Sequence, residues 1–305
     1  MKKGAMDDQR KIQYRQTISV MHIILFGAGG RLGSALERGA PTHTYLTPAA
    51  TEVDITDFAA VQGYLATHFA DLVINCAAFN DVNGAESKPD IADLVNGIAA
   101  GYIAEAAAKQ ALPVIHFSSD YVFGGIKRDG YVETDAPNPI SAYGRSKLLG
   151  EQVVKEKNPR SYIVRTSRLY GPSARDANAK RSFVEIVLDL AAKDPAFSIN
   201  QAEVSSPTLV DDLARHLETY LFTLPEPGIY HLANQGGCTW YEWAVAITEI
   251  LQLPVTVTPR DPNAVPRAAK PPDFSVLLST KIPPMRPWRE ALEDYLLHHY
   301  GKRIH

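Results

Sequence analysis

The chain has 305 residues, 45% of them hydrophobic and 21% charged, which suits one large globular domain or two smaller ones. A formal net charge of -3 supplies no polybasic surface, so the sequence predicts neither a nucleic-acid nor a membrane partner. Two distant cysteines, Cys76 and Cys238, form no metal-ligand spacing and suit a reducing cytoplasm, and no apolar run reaches the about 18 residues of a membrane span.

Residues 1–20, MKKGAMDDQRKIQYRQTISV, lack the apolar centre of a signal peptide and read as a disordered leader or an expression remnant outside the fold. HIILF (22–26) reads as the first strand, followed by a glycine turn and the helix-like RLGSALERG. A helical stretch near 57–69 leads into DLVINCAA (71–78), and an alanine-rich helix near 89–111 leads into LPVIHFSSD (112–120). The helix that carries ISAYGRSKLLGE (140–151) leads into SYIVRTS (161–167). Apolar strands alternating with helices predict an α/β fold, a doubly wound parallel sheet of Rossmann type with ligands beyond the carboxyl ends of the strands. After residue 168 the rhythm breaks. PRDPNAVPRAAKPPDF (259–274) reads as a long loop and ALEDYLLHHY (291–300) as a closing amphipathic helix. Residues 21–168 are therefore expected to form a dinucleotide-binding domain. Residues 169–305 are expected to form mainly a smaller substrate lobe, with some segments returning to the first domain.

Gly27, Gly30 and Gly33 lie directly between the first strand and its helix. One glycine permits the tight turn, one lets backbone approach a pyrophosphate, and one lets helix pack closely on strand. The helix N-terminus then offers unpaired N–H groups to the anion. An acidic residue about 20 positions on usually binds the adenosine ribose, but THTYLTPAA offers no carboxylate there. Arg31 has two readings, a partner for a 2′-phosphate or a solvated side chain. The cofactor expectation is NADPH or NADH, with NADPH favoured.

Ser118 and Ser119 end the strand in VIHFSSDYVFGG, and Tyr143 and Lys147 follow at i, i+4 on one helical face. A phenol of pKa near 10 is a poor catalyst at neutral pH, and an ammonium ~4 Å away at an effective dielectric of ~20 contributes about 4 kcal/mol, or ~3 pKa units. The expectation is a phenol tuned toward neutrality, with a serine hydroxyl holding a substrate carbonyl. Serine, tyrosine and lysine in this order, after a glycine fingerprint, form the short-chain dehydrogenase/reductase pattern.

DLVINCAAFNDVNGAESKPDIADLVN, VIHFSSDYVFGG, YVETDAPNPISAYGRSKLLGE and SYIVRTSRLYG resemble the dTDP-4-dehydrorhamnose reductase family of extended short-chain reductases. The likeness runs from about residue 22 to 298 and includes SSPTLVDDLA, GIYHLANQGGCTWYEWA and PWREALEDYL. It implies reduction of the C4 carbonyl of a nucleotide-linked 4-keto-6-deoxy sugar by NAD(P)H, in the cytoplasm, by a chain that can pair as a homodimer. By that likeness Tyr143 donates the proton, Lys147 tunes it and binds the nicotinamide ribose, and Ser119 keeps the hydroxyl of the usual threonine. Gly30, Arg31 and Leu32 line the pyrophosphate, Asp54 and Ile55 the adenine side, and Ala77, Ala78 and Phe79, with Phe117, the cofactor floor. Asp120 and Val82 approach the sugar.

Three departures from the family pattern stand out. Arg168 replaces a substrate-facing tryptophan and either alters the sugar accepted or points to solvent. Lys270-Pro271 replaces an Arg-Pro pair. Ser34-Ala35 stands where some members carry a glutamate for Mg²⁺, so no metal is expected. Two other readings share the fold: a nucleotide-sugar epimerase or dehydratase, with Asp120 as its acid, and a regulatory subunit like methionine adenosyltransferase β. His22, His116 and His231 read as core histidines, TWYEWA (239–244) as a core aromatic cluster, and Arg286 and Trp288 as anchors of the last helix.

Overall fold

The computed structural model describes residues 20–177 and 179–301, so the reading of residues 1–20 as a leader falls, Val20 apart, outside the described residues. In chain order come β1 (His22–Phe26), α1 (Arg31–Gly39), β2 (Thr44–Leu46), α2 (Phe58–Thr67), β3 (Leu72–Asn75) and α3 (Val82–Ser87). A helical run follows as α4 (Pro89–Asp93), a π turn at Leu94–Ile98 and α5 (Ala99–Lys109), then β4 (Val114–Ser119), α6 (Ala142–Lys157) and β5 (Ser161–Thr166). The second half adds β6 (Leu169–Tyr170), α7 (Phe183–Lys193), β7 (Ala196–Asn200), β8 (Thr208–Leu209) and α8 (Val210–Tyr220). It closes with β9 (Gly228–His231), α9 (Trp240–Ile250), β10 (Thr256–Arg260) and α10 (Trp288–His299).

Every residue of β3, β4 and β5 is buried, which is what near-continuous apolar strands demand when helices cover both faces. Six strands form one sheet in the order β2-β1-β3-β4-β5-β9, all pairs parallel, the doubly wound α/β arrangement the alternation predicts. The winding reverses between β1 and β3, so a crevice opens beyond their carboxyl ends. β9 comes from the second half and pairs with β5 from Tyr162↔Gly228 to Arg165↔His231. α8 also returns, packing Leu213, Ala214 and Leu217 with Leu32, Ala35 and Leu36 of α1 in one core. The remainder has its own core around Tyr170, Trp243, Leu292 and Tyr295, beside the two-stranded pair of β7 and β10.

The single helix expected over 89–111 is divided by the π turn, which widens the backbone and turns Asn96 inward. The expected loop at 259–274 begins inside β10, a largely exposed edge strand that tolerates Pro259. The closing helix starts at Trp288, earlier than its apolar run suggests. His116 and His231 are buried, whereas His22 is exposed and bonds Asp71, because the first residue of β1 faces out.

Candidate active site

Gly27 ends β1 at φ +77, and a Cβ there would stand 2.5 Å from the Ala77 nitrogen, so β1 and β3 meet only through a bare backbone. A Cβ on Gly33 would stand 2.5 Å from the Gly27 carbonyl, which fixes the turn against α1. Gly30 caps α1 with no side-chain hydrogen bond. The opening amides of a helix have no intrahelical partner, and here Arg31, Leu32 and Gly33 carry them at the positive end of the helix dipole. This donor set fits a dinucleotide pyrophosphate. Ala77, Ala78 and Phe79 continue from β3 beside it. Phe79 donates its amide to Asn96 Oδ1 at 2.8 Å and accepts Asn96 Nδ2 at 3.1 Å. Beyond β2, Asp54 is exposed and turns inward on Thr56, whose amide and hydroxyl it accepts at 2.9 and 2.8 Å, while Ile55 packs on the core.

Arg31 follows neither of its sequence readings. Its guanidinium is 10% exposed and donates to the carbonyls of Gly171 (2.6 Å), Pro172 (2.8 Å) and Lys180 (3.3 Å) and to Glu185 Oε2 (2.9 Å). From the first position of α1 the side chain reaches a segment that supplies all those acceptors, so it is spent inside the protein. That segment lies on the glycine turn, with the Asp176 amide donating to the Gly29 carbonyl at 2.9 Å and Arg175 Nη2 to the Ala28 carbonyl at 3.1 Å.

α6 is started by Ser141, whose hydroxyl accepts the Gly144 amide at 3.1 Å, and it presents Tyr143 and Lys147 on one buried face. Ser119, at the end of β4, lies beside the phenol of Tyr143, donates its hydroxyl to Asp120 Oδ1 at 3.0 Å and accepts the Tyr121 amide at 3.2 Å. Lys147 Nζ donates to the Phe117 carbonyl at 2.6 Å. Burial pushes the phenol up to about 12, against the neighbouring Ser119 hydroxyl, and the nearby Asp120 carboxylate adds to the rise. Burial also brings the lysine down to about 8, against the carboxylate of Glu151 and the thiol of Cys76. The phenol is therefore raised by burial where the sequence reading expected it to be lowered, and the Lys147 ammonium is bonded to a carbonyl.

Two supporting residues escape a sequence reading. Asn96, in the π turn, also donates to Ser146 Oγ at 2.9 Å, and Ser146 donates to the Tyr143 carbonyl at 2.8 Å, so the cofactor floor and α6 are tied together. Glu151, a turn beyond Lys147, accepts Ser118 Oγ at 2.6 Å and a bidentate Arg165 at 2.8 and 2.6 Å, all buried. The spacing of the YGRSKLLGE stretch was a signal for Glu151. Nothing in the sequence singles out Asn96 among the polar residues of its helical stretch.

A cleft of about 230 Å³ opens between the two halves, lined by Val82 and Asn83 of α3, Tyr121, Lys180, Trp240, Arg267, Ala269 and Pro271. The Tyr121 ring meets Tyr143 edge-on at 5.5 Å, which joins the cleft to the serine-tyrosine-lysine group. Val82 thus lines this cleft, and Asp120 lies behind it. Asp120 is 2% exposed, and its carboxylate accepts the hydroxyl of Ser119 (3.0 Å) on one oxygen and those of Ser167 (3.0 Å), Ser205 (2.8 Å) and Ser275 (2.6 Å) on the other. Arg168, too, enters neither cleft nor solvent, for its guanidinium donates to the carbonyls of Cys238 (2.8 Å) and Glu203 and lies 4.0 Å over the Trp240 ring. Lys270 is exposed, and the cations that border the cleft are Lys180 and Arg267. Trp240 was expected in the core with Trp243; Trp243 is buried, and Trp240 forms a cleft wall.

Ser34 and Ala35 are buried in α1, with Ser34 Oγ donating to the Ala28 carbonyl at 3.0 Å. Among the described residues no three His, Cys, Asp or Glu side chains gather as metal ligands, and no helix is long and apolar enough to cross a membrane.

With this geometry in place, residues 21–300 match the family described as the RmlD substrate binding domain. The chain is 38% identical over 290 residues to a dTDP-4-dehydrorhamnose reductase of Mycolicibacterium smegmatis, covering 92% of this chain and 86% of that protein. It superposes on the dTDP-4-dehydrorhamnose reductase of Bacillus anthracis in complex with NADP at a TM-score of 0.86 and 31% identity, covering 92% and 99% of the two chains. A Thermus thermophilus UDP-glucose 4-epimerase complexed with NAD shares the fold at a TM-score of 0.76 and 20% identity, covering 92% of this chain and 99% of that one.

Proposed function

The chain belongs to the dTDP-4-dehydrorhamnose reductase family, and from that membership we propose that it reduces the C4 keto group of dTDP-4-dehydro-L-rhamnose with NAD(P)H to give dTDP-L-rhamnose. The observation that carries the reading is a buried phenol, Tyr143, beside the Ser119 hydroxyl and above Lys147 on one helical face, where the cleft meets the cofactor side.

The amides that open α1, the backbone of Ala77 to Phe79 and the Lys147 ammonium are the groups that would hold the dinucleotide. When bound, it supplies a hydride to C4. The chain supplies the rest. Ser119 orients the carbonyl oxygen, and Tyr143 gives its phenolic proton to that oxygen as the alkoxide forms, leaving a secondary alcohol. A phenol held near 12 keeps its proton at neutral pH until the more basic alkoxide oxygen forms beside it. Lys147 stabilises the phenolate charge that remains. The NADP complex of the Bacillus anthracis relative supports NADPH here; Arg31, committed to Glu185, no longer does. The two cysteines are free, which fits the cytoplasm.

The other readings lose ground to particular residues. A dehydratase needs an available acid beside its hydroxyl residue, and Asp120 is buried and accepts four serine hydroxyls. A regulatory subunit has no need of Ser119, Tyr143 and Lys147 assembled around one buried phenol. The test is turnover of dTDP-4-dehydro-L-rhamnose and of related 4-keto sugars with NADPH and NADH separately. Tyr143→Phe should lower kcat by about 10²–10⁴-fold, the usual worth of a general acid. Unchanged turnover in that variant sinks the mechanism. Protein that arrives with bound oxidised dinucleotide and interconverts sugars without net oxidation would point to an epimerase instead.

A further inference from the structure

The second half of the chain contributes an unusual assembly to the cleft. Arg168 and Glu203 both sit in the left-handed region, at φ +41 and +67, a conformation that side chains of their size rarely adopt. Those two turns face each other, since the Arg168 guanidinium donates to the Glu203 carbonyl as well as to that of Cys238. The guanidinium lies flat 4.0 Å over one face of Trp240. The Glu203 carboxylate, 7% exposed as a residue, accepts Trp240 Nε1 at 3.0 Å on one oxygen and Asn200 Nδ2 and Arg267 Nη1 at 2.8 and 2.7 Å on the other. Phe183 closes the indole edge at 4.8 Å. Trp243 stacks on the same indole at 5.6 Å and 22°, so Trp240 is held by Arg168, Trp243, Glu203 and Phe183, and the part of it that remains open lines the cleft.

We propose that Trp240 is the specificity wall of the cleft, packing the part of its indole that remains open against the sugar ring, and that Arg168 and Glu203 are positioning residues that hold it there. The inference rests on the nucleotide-sugar reading of the site. The cleft, at about 230 Å³, holds a sugar ring but not a whole nucleotide sugar. Its inner wall is Tyr121, in edge contact with Tyr143, and its bordering cations Lys180 and Arg267 suit a diphosphate. Trp240 is then the aromatic surface left for the ring itself. Arg168 therefore acts on substrate choice without touching substrate.

The experiment is steady-state kinetics on the full chain with dTDP-4-dehydro-L-rhamnose, together with tryptophan fluorescence on adding dTDP-L-rhamnose or dTDP. Trp240→Leu should raise KM for the sugar about tenfold with kcat within about twofold, because that packing acts on ground and transition states alike. KM for NADPH should not move. Arg168→Met should reproduce part of that rise, about three- to fivefold, and Arg168→Lys less, since the charge stays while the fork is lost. dTDP-L-rhamnose should quench the wild-type fluorescence more than dTDP does, and Trp240→Phe should abolish that difference. Equal quenching by dTDP alone, an unchanged sugar KM in Trp240→Leu, or a matching rise in the KM for NADPH would overturn the proposal while leaving the reductase reading intact. Wild-type protein that neither binds nor reduces any nucleotide sugar would remove both.

Discussion

Tyr143 and Lys147 share one helical face, yet burial moves them in opposite directions, the phenol up to about 12 and the ammonium down to about 8. The phenol therefore keeps its proton across the working range, and the group that titrates near neutrality is the lysine. Lys147 is charged below about 8 and neutral above, so its loss of charge falls on the alkaline side. The reductive kcat/KM should fall as pH rises through about 8, and Lys147→Met should be slow at every pH and lack that limb. A limb unchanged in Lys147→Met would assign it elsewhere. The groups facing the ammonium are Glu151 on its own helix, Cys76 after β3 and His116 on β4. Glu151→Gln removes the largest of the terms that raise the lysine, so the limb should move to lower pH. Arg165 would be left without its carboxylate in a buried site, and the variant should also lose about 3–5 kcal/mol of stability, read in a urea titration.

At the scale of elements, α1 is tied to Gly171, Pro172, Lys180 and Glu185 because Arg31 reaches all four from the first position of the helix. Arg31→Ala removes an ion pair and three carbonyl contacts from a nearly buried site. It should raise KM for NADPH and NADH by the same factor, since it loosens the pyrophosphate turn and does not read the ribose. A loss confined to NADPH would restore the 2′-phosphate reading. What could be read from the sequence follows the same logic. The glycine turn, the Tyr143/Lys147 pair and the Ser119 strand end were legible because each depends on spacing within one strand or helix. Asn96 was not, since the π turn departs from the 3.6-residue period that signals which face is buried. β10 was masked by Pro259, and β9 by its four-residue length. The contacts of Trp240 and Arg168 with Glu203 could not be read, because Glu203 lies 37 and 35 residues away from them in sequence. The same holds for the serines around Asp120, three of which lie 47, 85 and 155 residues away.

Across the whole molecule, Asp120 is the point where the halves are joined. Ser119 and Ser167 approach it from the ends of the central sheet, and Ser205 and Ser275 from the second half. Asp120→Asn puts an N–H donor among hydroxyls arranged to donate, and should cost about 1–3 kcal/mol, seen as a lower urea midpoint. An unchanged midpoint would mean that the hydroxyls reorient freely. The sharing of structure between the halves has one more consequence, which concerns synthesis. β5 is buried on every residue, and its outer edge is covered by β9, which begins about sixty residues after β5 ends. A chain emerging from the ribosome therefore carries an open, sticky strand edge until His231 has been made, and a chain cut short before Gly228 keeps it permanently. Nonsense or frameshift products ending in that interval are the ones destined for aggregation or proteolysis, even though the dinucleotide turn and the tyrosine helix are already complete in them.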